Sequence, residues 1–312
     1  MKLIVTGGAG FVGSHLVKYL VKQGHDVSVI DNLARGTIEN LESIKKDVQF
    51  YKIDIRDFTK LNNVLDNVDG VFHEAALTVV PESFTNRAEY YAVNVKGTEN
   101  IFKLAKKFSF KVVYASSSSV YGNTTKIPIN ESVKRKPINP YGETKLEDEF
   151  LAERYAKLGV SVIGLRYFNI YGEGQSSSYA GVITKFIDNI MNSKPLFIYG
   201  DGNQVRDFVF VEDVAAANLL AMKSDIKFAF INIGSGYVIS ISELANNIMQ
   251  HSGLSLKTIY TNPLEGDIKL SQADISLARK LLKWEPKTKL NDWLQTRIEK
   301  LMKIKMKTNA SL

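Results

Sequence analysis

The sequence of 312 residues predicts an α/β fold, a doubly wound parallel sheet followed by a smaller mixed C-terminal lobe. In the first half of the chain, short runs rich in β-branched residues alternate with segments of helical pattern. A glycine-rich turn, from Thr6 to Gly13, joins the first such run to the first helix. Strands joined through helices run parallel and are covered on both faces, so these two observations indicate a doubly wound sheet.

The individual elements can be assigned in order along the chain. Each strand candidate is a short apolar run, and each helix candidate repeats apolar residues at helical spacing. The predicted strands are Leu3 to Thr6, Val27 to Asp31, Val48 to Asp54, Gly70 to His73, Lys111 to Ala115 and Val160 to Arg166. The predicted helices span about Gly10 to Gln23, Asp57 to Asn67, Glu89 to Lys107 and Pro140 to Leu158.

The fourth predicted helix carries signals for both of its ends. Asn139 is a candidate N-cap, Pro140 suits the first helical position, and Gly159 suits the C-terminal stop. Helical spacing also predicts which face of this helix is buried. That apolar stripe consists of Leu146, Phe150, Leu151 and Leu158.

The character of the sequence changes after Asn169. The segment Gly172 to Ser178 is rich in Gly and Ser, and short strand and helix patterns follow it. A further strand near Ala229 to Ile233 is expected to return to the main sheet. We therefore predict a first domain of residues 1–168, rejoined by 208–236, and a second lobe formed by 169–207 and 237–312.

Composition excludes several classes of protein. The absence of Cys excludes disulfide frameworks, cysteine zinc sites and thiol nucleophiles, and the four histidines have no metal-ligand spacing. The formal net charge of +7 comes mostly from dispersed basic residues and is accompanied by no nucleic-acid-binding signature. No apolar stretch reaches the roughly 20 residues that span a bilayer, and no signal peptide precedes the first strand. We expect a cytoplasmic protein with no membrane, nucleic-acid or metal partner.

The glycine-rich turn predicts a dinucleotide site. Gly7, Gly10 and Gly13 lie between a strand and a helix, and Phe11 and Val12 open that helix. Glycines let the backbone approach a pyrophosphate, whose charge is met by free N–H groups at the helix N-terminus. The sequence therefore places a nucleotide cofactor at the end of the first strand.

Asp31 indicates which dinucleotide is bound. It ends the second strand, where a carboxylate can hold both hydroxyls of the adenosine ribose. The same carboxylate repels a 2′-phosphate, so we predict NAD rather than NADP, although Arg35 leaves phosphate recognition open.

Further cofactor contacts are expected where neighbouring strands end. Asn32 follows the second strand, and Asp54 and Ile55 follow the third, where they can hold the adenine edge. Ala75 and Ala76 follow the fourth and give a wall of small side chains. Ordinary strand-end packing accounts for the last four residues equally well.

Tyr141 and Lys145 predict redox chemistry at a hydroxyl group. At positions i and i+4 of a helix they share one face, where the ammonium can help the phenol to act as a base. The alternative is an ordinary surface pair, which the dinucleotide turn makes less favourable. The serine run from Ser116 to Ser119 follows a strand at the edge where open sheets bind ligands, so one hydroxyl can share the substrate proton, although such a run can also simply cap a loop.

A series of motifs, in this order, resembles the extended short-chain dehydrogenase/reductase family. The chain is most similar to nucleotide-sugar epimerases of the UDP-glucose 4-epimerase type, from about Lys2 to the helix around Trp293. The motifs are T-G-G-A-G-F-V-G, D-N-L, D-I-R-D, H-E-A-A, N-V-K-G-T, A-S-S-S-S-V-Y-G, P-Y-G-E-T-K, L-R-Y-F-N-I-Y-G and G-D-G-N-Q-V-R-D-F.

The resemblance implies NAD-dependent 4-epimerisation of a UDP-hexose. Tyr141 would remove the 4-hydroxyl proton, Lys145 would hold the nicotinamide ribose, and Ser117 would bond the 4-hydroxyl. Hydride would leave C4 for NAD and return to the other face of the turned keto sugar, so that NAD is regenerated in each cycle. The resemblance also implies cofactor contacts from Asn94 and Tyr167 and substrate contacts from Asn169, Arg206, Asp267 and Ser271.

Three positions refine this expectation. Dehydratase relatives carry Thr-Asp-Glu where this chain has Ser117 to Ser119, so dehydration is disfavoured. Leu264 stands where many epimerases carry a second diphosphate arginine, and Lys269 is a candidate substitute. Ser271 occupies the position whose size decides, in relatives, whether an N-acetylated sugar fits. We therefore expect UDP-N-acetylglucosamine to be accepted as well as UDP-glucose.

Two other functions stay open at this point. One is a reductase, decarboxylase or uronate epimerase acting on a nucleotide sugar, and the other is a non-catalytic NAD-binding sensor. The resemblance also implies a homodimer through a four-helix interface formed by Glu89 to Lys107 and Pro140 to Leu158, whereas burial of these helices against the sheet is the alternative.

Overall fold

The computed structural model describes residues 1–175 and 181–309. Within these ranges the strands are β1 (Lys2–Thr6), β2 (Asp26–Asp31), β3 (Val48–Lys52), β4 (Gly70–His73), β5 (Lys111–Ser117), β6 (Val162–Tyr167), β7 (Asn169–Tyr171), β8 (Leu196–Tyr199), β9 (Val205–Arg206), β10 (Phe208–Phe210), β11 (Phe228–Ile233), β12 (Ile239–Ser240) and β13 (Thr258–Thr261). The α-helices are α1 (Phe11–Lys22), α2 (Phe58–Val64), α3 (Val80–Thr85), α4 (Arg87–Tyr90), α5 (Gly97–Phe108), α6 (Pro140–Lys157), α7 (Val182–Met191), α8 (Val211–Lys223), α9 (Ile241–Ser252), α10 (Ser276–Leu282) and α11 (Leu290–Asn309).

The main sheet confirms the predicted fold class. Seven of the described strands pair in the order β11-β6-β5-β4-β1-β2-β3, and every neighbouring pair runs parallel. The predicted return strand is β11, which pairs with β6 at one edge. Strand β1 lies between β4 and β2, so the chain connections on its two sides run in opposite directions along the sheet. The carboxyl ends of these strands form the crevice where such sheets bind ligands.

Two apolar cores cover the two faces of this sheet. Along β1, Leu3 and Val5 belong to the core that contains α1 and α8, and Ile4 belongs to the core that contains α2, α5 and α6. Successive side chains of a strand point to opposite faces of the sheet, as they do here. Because both faces of β1 are covered by apolar cores, its sequence is a continuous hydrophobic run.

A third core lies in the C-terminal part of the chain, among α7, α9, α11 and the β8–β13 pair. The division predicted from sequence differs from the structure at one segment. Residues 273–284 were predicted in the lobe, but Ala278, Leu282 and Trp284 pack in a core of the main sheet. The indole of Trp284 also donates a hydrogen bond to the carbonyl of Asp213 at 2.9 Å, which fixes this segment against α8.

Element boundaries differ from the prediction in small ways. The third strand ends at Lys52 rather than at Asp54, and the third predicted helix contains a π-helical turn, Tyr91–Lys96, between α4 and α5. Of the predicted loop Gly172 to Ser178, residues 176–178 lie outside the described residues. No helix in the described ranges is both long and apolar enough to cross a membrane.

Helix α6 begins as predicted but buries a different face. The side chain of Asn139 accepts a hydrogen bond from the Gly142 N–H at 2.8 Å, and Pro140 opens the helix. The predicted apolar stripe was half wrong, because Leu146 and Leu151 pack against the cores but Phe150 is 45% and Leu158 is 50% exposed. The residues that the helix buries are instead largely polar, and they include Thr144, Lys145, Asp148, Glu149, Ala152 and Tyr155.

Candidate active site

The glycine-rich turn closes tightly after β1. Gly7 has a φ of +70°, which favours glycine, and a Cβ on it would lie 2.6 Å from the backbone nitrogen of Ala75. A Cβ on Gly13 would lie 2.1 Å from the carbonyl oxygen of Gly7. Helix α1 then starts with no side-chain cap at Gly10 and no acidic residue in its first turn. Its first N–H groups are thus suited to an anion, which fits the pyrophosphate of a dinucleotide.

Replacing Gly13 by Ala is expected to prevent NAD from being retained and to lower stability by about 1–3 kcal/mol, because the new methyl meets backbone that cannot move aside cheaply. NAD released by denaturing the purified protein measures the first effect, and urea unfolding measures the second. Gly181→Ala is the matched control, since a methyl there meets no atom of the described residues closer than 3.7 Å. A Gly13→Ala protein with wild-type NAD content would contradict the tight-turn argument.

Asp31 lies where an adenosine ribose is expected. Its Oδ2 accepts the Ala9 N–H at 3.0 Å, and its Oδ1 accepts the Leu33 N–H at 2.8 Å. Burial raises the pKa of this carboxyl, and the two backbone donors oppose that effect. Each oxygen keeps a lone pair for a ribose hydroxyl.

The predicted adenine contacts lie beside Asp31. The Asn32 amide donates to Asp54 at 3.0 Å, and the Arg56 guanidinium grips the same carboxylate at 2.9 and 2.7 Å. The hydrogen bonds from Arg56 lower the pKa of Asp54 to about 2, so it stays ionised. Ile55 is buried, and a Cβ on Gly97 would lie 2.5 Å from it. Binding of NAD by these residues stays a prediction.

Tyr141 and Lys145 both lie in the first turns of α6. The Lys145 ammonium is buried and bonds Asp148 Oδ2 at 3.2 Å, one helical turn further on. Although burial opposes it, the Asp148 carboxylate and then the Tyr141 phenol raise the pKa of Lys145, so this side chain stays charged. The Tyr141 N–H donates to the Ser83 hydroxyl at 3.2 Å, which ties the start of α6 to α3.

The serine run lies at the carboxyl end of β5. Ser117 ends the strand, and its hydroxyl accepts the Ser119 N–H at 3.1 Å. Ser116 donates instead to the buried Glu149 at 2.7 Å, so its role is structural. Ser118 and Ser119 line the cavity described below.

Asn94 and Tyr167 are held by the protein rather than free in the cleft. The Asn94 amide accepts the Leu77 N–H at 2.8 Å and donates to the Leu77 carbonyl and to Thr144 at 3.0 Å. These bonds fix the segment that follows Ala75 and Ala76. The Tyr167 hydroxyl donates to Glu74 at 2.9 Å and accepts from Asn218 at 2.7 Å.

Two carboxyl groups near Lys145, those of Asp148 and Glu74, were not predicted from the sequence to have a role. Burial raises the pKa of Asp148 to about 7 and that of Glu74 to about 7, and the charge of Lys145 opposes both shifts. The signal for Asp148 was its position one turn after Lys145, and the signal for Glu74 was its place in the H-E-A-A motif. His73 is buried beside them with a pKa lowered to about 3, so it is neutral.

Glu74 gives a pH-dependent contribution to stability. Because its folded pKa, about 7, lies above its ordinary value of 4.5, the folded state binds more protons between these two pH values, and stability falls as pH rises. Glu74→Gln keeps an acceptor for Tyr167 and removes this loss. We expect the NAD-free variant to match wild type at pH 4 and to gain on the order of 3 kcal/mol at pH 8 in urea unfolding. An equal difference at both pH values would contradict the shift.

Four of the five predicted substrate residues, Asn169, Arg206, Asp267 and Ser271, lie around one cavity of 160 Å³, and Ser117 is not among its lining residues. Arg206 is mostly buried and donates to Asp267 at 2.5 Å. Leu264 lines the same cavity, in place of the second arginine, whereas Lys269, the candidate substitute, is not among the lining residues. A larger groove of 440 Å³ contains none of the predicted site residues. The cavity is lined by Val80, Pro81, Ser118, Ser119, Asn139, Asn169, Arg206, Leu264, Glu265, Gly266, Asp267, Ile268 and Ser271.

A dinucleotide turn beside a Tyr–Lys pair and a sugar-sized cavity defines a class of NAD-dependent enzymes that act on a substrate hydroxyl. The model of the NAD dependent epimerase/dehydratase family matches residues 3–234. The chain belongs to this family, and NAD is its cofactor. Among the described residues no group of three or more potential ligands could hold a metal ion.

Comparison with individual proteins agrees with this assignment. The chain is 39% identical over 300 residues to a putative UDP-glucose 4-epimerase of Methanocaldococcus jannaschii, covering 94% of this chain and 96% of that one. A UDP-glucose 4-epimerase from Thermotoga maritima, solved with UDP-glucose, matches with a TM-score of 0.92 and 34% identity over 97% of this chain and 99% of that chain. A UDP-N-acetylglucosamine 4-epimerase from Methanobrevibacter ruminantium, solved with UDP-N-acetylmuramic acid, matches with a TM-score of 0.90 and 36% identity over 96% and 97%.

Proposed function

We propose that the protein interconverts 4-epimers of UDP-hexoses, UDP-glucose with UDP-galactose and the two corresponding N-acetylhexosamines. The observation that carries the proposal is the convergence of Asn169, Arg206, Asp267 and Ser271 on one cavity that reaches Ser118 and Ser119. These residues come from three separate segments of the chain, and the cavity joins them to the strand end that carries Ser117.

Each catalytic group has a distinct task in this reaction. Tyr141 takes the proton of the 4-hydroxyl, and Ser117 hydrogen-bonds the same oxygen. The charged Lys145 stabilises the phenolate and donates to the nicotinamide ribose. The chemistry that bound NAD would supply is the acceptance of a hydride from C4 and its return to the opposite face of the turned keto sugar, while Tyr141 would give its proton back to the 4-oxygen.

The substrate groups are expected to act through charge and size. Arg206 is the one guanidinium that lines the cavity in the described ranges, and its donors suit a diphosphate. Its bond to Asp267 keeps the buried cation paired until the substrate arrives. Ser271 lines the cavity, and its small side chain supports the acceptance of an N-acetyl group there.

The serines also favour epimerisation over elimination of water. Ser118 and Ser119 line the cavity at the two positions where dehydratase relatives carry carboxyl groups. A carboxyl pair is what such an elimination would need for acid and base catalysis at neighbouring carbons.

The deciding experiment incubates the purified protein separately with UDP-glucose, UDP-N-acetylglucosamine and UDP-glucuronate. Products are followed by proton NMR, and bound NAD is measured after denaturation. Interconversion of 4-epimers without net change in NADH supports the proposal and names the sugar. Release of carbon dioxide or net use of NADH would replace it by a decarboxylase or reductase, and absence of turnover with bound NAD would favour the sensor.

A single substitution tests the sugar preference. Ser271→Tyr is expected to reduce turnover of UDP-N-acetylglucosamine selectively and to leave UDP-glucose turnover largely intact. An equal effect on both sugars would remove Ser271 as the determinant.

We also propose a homodimer in the cytoplasm, built on α5, α6 and the π-helical turn before α5. Tyr91 and Phe150 lie on these helices with 47% and 45% of their surface exposed, which supports an apolar contact. Light scattering coupled to gel filtration gives the subunit number, and a Phe150→Glu variant that stays dimeric would exclude this surface.

A further inference from the structure

Arg35 and Glu82 form an ion pair between two segments that flank the glycine-rich turn. Arg35 lies in the loop after β2, and Glu82 lies in α3, after β4. One guanidinium nitrogen donates to both carboxylate oxygens, at 2.5 and 2.6 Å. The side chains are 30% and 28% exposed, so the pair is only partly screened by water.

The sheet order decides what lies between these segments. Strand β1 pairs with β2 on one side and with β4 on the other. A contact from the loop after β2 to the helix after β4 therefore crosses the carboxyl end of β1, beside the turn that carries Gly7, Gly10 and Gly13. This is the edge of the sheet at which a dinucleotide is bound.

Both ends of the pair are anchored to the protein. The loop is held because Thr37 N–H and the Asn40 amide both donate to the Ala9 carbonyl, at 3.1 and 2.8 Å. A Cβ on Gly36 would lie 2.5 Å from Ala9, so the loop lies directly on the glycine-rich turn.

Helix α3 is held from its other side. The Tyr90 hydroxyl, fully buried, donates to the Val79 carbonyl at 2.7 Å and lies 3.4 Å from Glu82 Oε2. Burial and the Glu82 carboxylate raise the pKa of Tyr90, so it remains a donor. Through Ser83, which accepts the Tyr141 N–H, α3 also contacts α6.

We propose that the Arg35–Glu82 ion pair is a clasp across the dinucleotide cleft that slows the release of bound NAD. An enzyme that regenerates NAD in each cycle has no need to release it, and a bridge between the two walls of the cleft retains it. The benefit of retention rests on the proposed epimerisation, whereas NAD release is measured without any sugar, so a failure of the clasp is distinguishable from a failure of the proposed function.

The test compares Arg35→Ala, Glu82→Ala and the double variant, each loaded with NAD. Release is followed by the change in nicotinamide fluorescence when excess NADH replaces the bound NAD, with no sugar present. Each single variant is expected to release NAD about three- to tenfold faster than wild type. The double variant is expected to be no faster than either single one, because both remove the same contact.

Arg297→Gln is the matched control. It breaks a pair with Glu173 at 2.8 Å with similar exposure of the arginine, 24%, but between the lobe and the loop after β7. Its release rate should equal that of wild type. Unchanged release in the single variants would overturn the clasp. Faster release in Arg35→Ala alone would also overturn it, because Arg35 would then contact the cofactor directly. Thermal melting of each variant shows whether the fold itself has changed.

Discussion

Replacing Tyr141 by Phe is expected to lower kcat by about 10²- to 10⁴-fold and to leave bound NAD at the wild-type level. Phenylalanine keeps the ring and removes only the oxygen that we propose takes the proton of the 4-hydroxyl. Lys145 stays paired with Asp148 in this variant, so the contact expected to hold the nicotinamide ribose is preserved. Initial rates of epimerisation by NMR and NAD content after denaturation measure the two effects.

The control is Tyr199→Phe, a change of the same kind on the surface of β8, where the side chain is 41% exposed. It should be fully active. A Tyr141→Phe protein that keeps more than about a tenth of the activity would show that another group takes the proton, because general base catalysis contributes at least about a hundredfold. Loss of NAD together with activity would instead assign Tyr141 a role in binding.

The cofactor half of the site could be predicted because its signals are local. Gly7, Gly10 and Gly13 lie within one turn, and the structure shows the close approach that each added Cβ would obstruct. The position of Asp31 could be predicted because this residue ends a strand. A short segment of sequence is sufficient to predict such features, because the backbone conformation there is set by neighbouring residues.

The surroundings of Lys145 could be predicted only in part. The i, i+4 spacing brought Tyr141 to its side, but Glu74 approaches from β4, a strand far away in sequence. The hydrophobic periodicity of a sequence does not reveal such partners, because it indicates which face of an element is buried and not which residues contact that face. For the same reason the expected apolar stripe of α6 was wrong at Phe150 and Leu158. That helix buries a charged side chain, Glu149, whose partners come from β6 and from the loop before α6.

The substrate cavity could not be derived from pattern alone. Asn169, Arg206 and Ser271 come from separate segments of small or irregular elements, and no spacing links them. Only the resemblance to a family named them together. The Arg206–Asp267 ion pair was also not predicted from the sequence, although it is the contact that a diphosphate would have to replace.

Glu149→Gln is expected to lower the free energy of unfolding by about 3–5 kcal/mol. Glu149 is fully buried and accepts from Arg166 at 2.7 and 2.8 Å, from Ser116 at 2.7 Å and from Arg135 at 2.9 Å. Although burial opposes it, Glu149 raises the pKa of Arg166, so the guanidinium stays charged. Glutamine has nearly the same shape but leaves that guanidinium without a counterion inside the protein. Urea unfolding measures the difference.

Glu153→Gln is the control that separates the effect of burial from the effect of removing a charge. Glu153 lies one turn further along α6 and pairs with the same Arg135 at 3.0 Å, but its side chain is 36% exposed. Water can replace its contact, so its loss should cost at most about 1 kcal/mol. If both variants unfold at similar urea concentrations, the Arg166–Glu149 pair contributes no more than a surface pair. The polar face of α6 would then have to be held by the neighbouring apolar contacts of Ala152 and Tyr155.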